Sequence, residues 1–195
     1  MARAATKAEQ QAFIHKMWVS IAGLDLQGLF PSVLIAQAAL ESGWGQSELA
    51  TKYNNLFGVK KGSSWIGRTV NLPTREVING VSQTVRADFR VYPSWMASIA
   101  DRNKLLLTLK RYANVRSAAT PQAQIEALKS AGYATGENYV SSLMNTINAN
   151  GLTRYDELKK KIMNNKTLST IMIAAGAIIA GIGIFNIANL SKYLK

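Results

Sequence analysis

Apolar residues recur at helical spacing early in the chain. Phe13, Ile14, Met17, Trp18 and Ile21 mark one face of an amphipathic helix over residues 8–22. A second helix is predicted from Pro31, which suits a first helical position because its missing amide costs nothing there, to about Ser42. Its Val33, Leu34, Ile35, Ala36, Ala38, Ala39 and Leu40 are apolar almost all round, the pattern of a helix buried on most sides. Ser47 is placed to cap a short helix ending near Lys52, and residues 53–60, rich in Asn and Gly, read as a loop. Strand-forming residues over 65–72 are followed by alternation at Val85, Ala87, Phe89 and Val91. Pro73-Thr-Arg-Glu76 and Asn79-Gly80 lie between, so a small antiparallel hairpin turning at Asn79-Gly80 is expected. Helical patterns return over residues 95–109, 121–130 and 138–148. Helices, a small hairpin sheet, then helices again predict an α+β domain with its sheet set apart.

After Gly151 the pattern changes. Residues 154–166 are polar and basic, with Lys159, Lys160 and Lys161 in a row, and residues 167–191 then run for 25 positions without a charge. A bilayer core needs ~20 such residues as helix. Gly176, Ala180, Gly181 and Gly183 supply the small positions common in intramembrane helix contacts. A transmembrane or membrane-inserting helix is therefore expected, with a buried core helix or a membrane-active peptide as the alternative. The chain divides into a basic leader (1–7), a folded domain (8–153), a basic juxtamembrane linker (154–166), the apolar segment (167–191) and a basic tail (192–195). No apolar stretch follows the leader, so no secretory signal peptide is read there.

Charge narrows the partners. Lys and Arg number 23 against 11 Asp and Glu, a net charge of +12, which suits a polyanion such as nucleic acid, anionic lipid or an acidic cell-wall polymer. There is no arginine-rich arm and no nucleic-acid-binding motif, so nucleic acid is not expected. The absence of cysteine excludes a thiol nucleophile and thiolate zinc sites. A single histidine, His15, cannot build a multi-histidine metal site and reads as a surface or half-buried structural residue. No metal or cofactor is implied, and chemistry must rest on carboxylates and tyrosines.

One acid stands out. Glu41 ends the apolar second helix, which Gly43-Trp44-Gly45 then stops. A carboxyl in such a place is poorly solvated, so its neutral form is favoured, the requirement for a proton donor to a glycosidic bond. The plain alternative is a helix that happens to end in Glu. Among the other acids, Glu9, Asp25, Glu48, Asp156 and Glu157 have ordinary local explanations. Asp101 and Glu126 precede Lys104 and Lys129 at the spacing of surface pairs. Asp88 alternates with apolar neighbours and faces solvent, and Glu137 follows Gly136 in a loop that caps the next helix. Glycoside hydrolysis commonly uses two carboxyls. Glu41 with Glu76 is the best available pair.

Five segments, taken in order, resemble glycoside hydrolase family 73, the bacterial endo-β-N-acetylglucosaminidases. They are Ala36-Gln-Ala-Ala-Leu-Glu41-Ser-Gly-Trp-Gly45, Asn54-Asn-Leu-Phe-Gly-Val-Lys60, Thr74-Arg-Glu76, Phe89-Arg-Val-Tyr92 and Tyr133-Ala-Thr135. The resemblance spans residues 13–148. It implies a lysozyme-like fold: a mostly helical lobe, a small antiparallel β-hairpin lobe, and an active-site groove between them, here followed by a C-terminal hydrophobic helix. It further implies that Glu41 is the general acid, Glu76 the second acid on the β-lobe, and Tyr133 the tyrosine lining the site. Trp44, Asn55, Phe57 and Tyr92 are then candidates to bind substrate. The family's Tyr-Ala-Thr-Asp motif ends here in Gly136, which removes an acid from that loop.

The expected function is cleavage of the β-1,4 bond between N-acetylglucosamine and N-acetylmuramic acid in peptidoglycan glycan strands. A lytic transglycosylase of the same fold and a non-catalytic, membrane-anchored wall-binding protein are the alternatives. Location is expected at the membrane and cell envelope. Five basic residues precede the apolar segment and two follow it, which by the positive-inside rule orients the domain away from the wall. A phage or lysis context reconciles the two.

Overall fold

The computed structural model describes residues 3–78, 80–134 and 136–165. Helix α1 (Lys7–Ile21) opens with a capping box: the Thr6 hydroxyl accepts from the Glu9 amide and the Glu9 carboxylate accepts from the Thr6 amide at 2.8 Å. Its Phe13, Ile14, Met17 and Ile21 are buried, as the spacing predicts, and His15 is exposed.

Helix α2 (Pro31–Ser42) is the centre of the molecule, with every residue from Pro31 to Ala39 buried. The remaining helices are α3 (Glu48–Tyr53), α4 (Trp95–Thr108), a 3-10 turn (Lys110–Tyr112) leading into α5 (Ala113–Arg116), α6 (Pro121–Ser130), α7 (Tyr139–Asn150) and α8 (Thr153–Asn164). Helices α1, α6, α7 and α8 pack around α2. Leu34, Ile35, Ile99, Leu128, Leu143 and Ile147 meet in the core.

Strands β1 (Thr69–Ile78) and β2 (Val81–Arg90) form a two-stranded antiparallel sheet, Thr69 opposite Arg90 and Ile78 opposite Val81. The hairpin is the expected one, β1 ending at Ile78 and β2 beginning at Val81, while Asn79 of the expected turn lies outside the described residues. Two boundaries differ from expectation. The strand expected over 65–72 begins only at Thr69, because the Trp65 indole donates to the Arg68 carbonyl at 3.0 Å and closes a local turn. Residues 73–76, expected as turn, are strand. Pro73 is tolerated because every strand of a two-stranded sheet is an edge.

The linker expected over 154–166 is instead helix through Asn164. Tyr155, Asp156, Lys159 and Ile162 recur at helical spacing and are buried. The Asp156 carboxylate accepts from the Ser32 amide at 2.8 Å, in the first turn of α2, where the helix dipole favours an anion. The Lys159 ammonium donates to the carbonyls of Ala22 (2.8 Å) and Leu24 (2.5 Å) just past the end of α1. The apolar helix expected over 167–191 lies outside the described residues. Among those described, no helix is long and apolar enough to cross a membrane.

Candidate active site

The C-terminus of α2 presents Glu41. The helix stops there because Gly43 takes a left-handed conformation (φ +56), and Ser42 ties the turn together. Its hydroxyl donates to the Ala38 carbonyl at 2.5 Å and accepts from the Gly45 amide at 2.7 Å. Trp44 is also left-handed (φ +60), which costs a non-glycine residue about 1–2 kcal/mol. A side chain at position 45 would lie 2.8 Å from Trp95 and 2.9 Å from Phe13. Only glycine fits there. Trp44 itself is half-buried with its ring edge-on to Phe13, centroids 5.9 Å apart.

Glu41 opens into a cleft of about 400 Å³ bounded on one side by Ser47 and Glu48 at the start of α3, and on the other by Leu72 and Thr74 of β1. Phe57 and Lys60 come from the loop between α3 and the hairpin. The Glu41 side chain is open to the cleft, yet the protein around it displaces enough water that burial pushes its carboxyl above the ordinary value. Among the described residues no cation pairs with it.

Strand periodicity settles the facing of Glu76. Leu72, Pro73 and Thr74 all border the cleft, but burial alternates along β1, with Leu72, Thr74 and Glu76 half-buried and Pro73 and Arg75 exposed, so Glu76 shares the inner face of Leu72 and Thr74 while Arg75 and Arg86 face out. Its carboxylate forms an ion pair with the Lys60 ammonium. Tyr133 is half-buried, packed against the core. Burial pushes its phenol up to about 12, the Arg102 charge opposing and the Glu41 charge adding, so it is a neutral hydroxyl within the electrostatic reach of Glu41.

Two of the expected substrate contacts are placed elsewhere. Asn55 is buried and spends its amide on its own loop, donating to the carbonyls of Val59 (3.0 Å) and Arg90 (2.9 Å) and accepting from the Val59 amide. It shapes the loop from beneath. Tyr92 is buried too, its hydroxyl donating to Asp101 at 2.7 Å, and burial, reinforced by that bond, raises its pKa well above the ordinary tyrosine range. Phe57 borders the cleft, though it too is buried and shows only its edge there. Asp101, expected to pair with Lys104, instead accepts from Arg90 at 2.7 Å and joins the base of the hairpin to α4.

Arg102 carried no sequence signal. It is fully buried behind Phe57, its guanidinium 5.6 Å from that ring, donating to Gln37 and to Asn103 (2.8 Å). Gln37 in turn donates to the Tyr139 hydroxyl at 2.6 Å. Only the position of Arg102 in the buried stripe of α4, beside Ile99 and Leu106, would have hinted at it. Glu48 lines the cleft but forms an ion pair with Lys52 at 3.0 Å. Among the described residues no cluster of His, Cys, Asp and Glu can hold a metal.

The family model described as mannosyl-glycoprotein endo-beta-N-acetylglucosaminidase matches residues 22–152. The chain is 43% identical over 119 residues to the peptidoglycan hydrolase FlgJ of Salmonella typhimurium, covering 59% of this chain and 38% of that protein. It is 37% identical over 160 residues to the exo-glucosaminidase LytG of Bacillus subtilis, covering 79% of this chain and 56% of that one. It thus spans well under two thirds of either relative. The crystal structure of the catalytic domain of the autolysin Auto from Listeria monocytogenes superposes with a TM-score of 0.67 at 37% identity, covering 80% of this chain and 92% of that domain.

Proposed function

The chain belongs to this glucosaminidase family, and from that premise we propose that it is a peptidoglycan hydrolase cutting the β-1,4 bond between N-acetylglucosamine and N-acetylmuramic acid. Glu41 gives its proton to the glycosidic oxygen as the bond to the anomeric carbon breaks. Water then adds to that carbon and loses its proton to Glu76, or the sugar's own N-acetyl oxygen attacks first and Glu76 assists. Tyr133, held neutral, donates a hydrogen bond within the site. Trp44 and the edge of Phe57 give apolar surface for sugar rings. Relatives named peptidoglycan hydrolase and exo-glucosaminidase support the substrate.

The setting of Glu41 carries this reading: a carboxyl at a helix end, facing a cleft, its pKa raised by burial and with no pairing cation among the described residues. Glu41→Gln keeps the shape and removes the proton. It should lower turnover on purified walls by about 10²–10⁴-fold, read as new reducing N-acetylglucosamine ends. A variant that keeps wild-type turnover sinks the assignment. Because Glu76 is engaged by Lys60, one-acid chemistry is the second reading: a lytic transglycosylase, whose products end in 1,6-anhydromuramic acid instead.

We also propose that residues 167–191 engage a membrane and so hold the domain at the cell envelope. Their 25 uncharged positions support this.

A further inference from the structure

We infer that Lys60 is the positioning residue for Glu76: its ion pair is a latch that holds the curled hairpin over the cleft and sets the second acid opposite Glu41. This rests on the glycosidase reading for its catalytic consequence, though not for the latch itself.

The backbone of Lys60 is fixed. It pairs with Phe89 of β2 in an isolated antiparallel bridge, and the Arg90 side chain donates to the carbonyls of Lys60 and Lys61 at 3.1 and 3.2 Å. The base of the hairpin is equally fixed, by Lys61 amide to Asp88 carbonyl (2.8 Å), Arg90 amide to Val59 carbonyl (3.0 Å) and Arg90 to Asp101 of α4 (2.7 Å). Beyond the base the hairpin is on its own. Arg86 donates to the Asn71 side chain (2.5 Å) and carbonyl (2.7 Å), both within the hairpin; among the described residues, the Lys60–Glu76 pair is the single hydrogen bond or ion pair joining positions 72–87 to a part of the protein outside the hairpin.

Strand geometry shows what that pair implies. Phe89 stands opposite Val70, so Lys60 sits level with Val70, six residues before Glu76. A straight strand would carry Glu76 ~20 Å further on, far past the reach of one lysine side chain. The hairpin therefore curls back, and Lys60 fastens the curl. Because Leu72, Thr74 and Lys60 all line the cleft, the fastened hairpin is one wall of it. Both side chains of the pair keep solvent contact, at 50% and 33% exposure. Such a pair is weak enough to open as a glycan strand enters and to close behind it.

Hydrogen exchange and kinetics on the full chain test this together. In Lys60→Met, amide exchange over 72–87 should rise about two- to fivefold, with α2 and α4 unchanged. Its kcat on walls should fall as far as that of Glu76→Gln, the double variant should be no worse than either, and Lys60→Arg should restore both readouts. Unchanged exchange in Lys60→Met overturns the latch. Losses that multiply in the double variant, or a rise in KM with kcat intact, overturn the positioning role and make Lys60 a substrate contact. A wild-type protein that releases no sugar ends removes the glycosidase reading, and the exchange result then judges the latch alone.

Discussion

At the residue scale, Glu41 is costly to the fold for the same reason that it is useful. In the unfolded chain it ionises at its ordinary pKa; in the folded protein burial holds the proton to a higher pH. Between those two values folding takes up a proton, so this residue's contribution to stability falls as pH rises through that window. Glu41→Gln should therefore be at least as thermostable as the wild type at neutral pH, with the advantage shrinking to nothing below pH ~4, under the ordinary carboxylate range. Activity should decline on the alkaline side as Glu41 loses its proton. Melting curves and rate profiles across pH check both, and a neutral-pH melting point below the wild type's contradicts the origin assigned to the shift. Glu41 was legible because an apolar helix, an acid and a Gly-Trp-Gly stop are adjacent in the chain. Arg102 was not. Its partners Gln37 and Tyr133 are distant in sequence, and a buried arginine on an otherwise ordinary helix leaves no periodic mark. Asp101 misled for a related reason: Lys104 lies at the right local spacing, but Arg90 and Tyr92 reach the same carboxylate through the fold.

At the scale of elements, the order of the longer helices and the hairpin was readable from period together with cap and turn residues, the short 3-10 turn and α5 left no such signal, and α8 was hidden by its own chemistry. Its buried stripe runs Tyr155, Asp156, Lys159, Ile162, and two of those four are charged, so hydropathy reports a solvated linker. Each charge is used. Asp156 meets the amide end of α2, and Lys159 meets the carbonyl end of α1, the pairing the helix dipoles favour. Helix α8 also begins where the family match ends, at residue 152, yet it clasps the helix that carries Glu41. Two neighbouring lysines separate the roles. Lys159→Ala removes a buried ammonium that holds two carbonyls and should destabilise by about 2 kcal/mol. Lys160→Ala touches only an exposed pair with Glu157 at 3.0 Å and should stay within about 0.5 kcal/mol of the wild type. Urea denaturation of both variants measures the contrast, and equal effects would return this segment to the status of a linker.

At the scale of the whole molecule, two kinds of surface attraction are expected to act on one chain, and salt distinguishes them. The net charge is +12, and exposed basic residues are spread over the outer hairpin (Arg75, Arg86), the α4–α5 turn (Lys110, Arg111) and α8 (Lys160, Lys161). The carboxyls Glu41 and Glu48 lie in the cleft instead. Under the proposed function, a positive exterior around a cleft that carries its own acids would draw a polyanionic wall toward the protein without neutralising Glu41. Such attraction is screened over ~8 Å at physiological ionic strength and over ~3 Å at 1 M salt. Burial of an uncharged 25-residue segment in lipid is an apolar transfer that salt does not weaken. Full-length protein sedimented with purified walls should therefore be released between low and high salt. The same protein sedimented with zwitterionic lipid vesicles should stay bound, and removal of residues 167–195 should abolish the second interaction while leaving the first. Wall binding that survives 1 M salt would assign retention to the cleft rather than to charge. Vesicle binding that survives the truncation would move the membrane contact onto the folded domain, with the basic outer hairpin the first place to look.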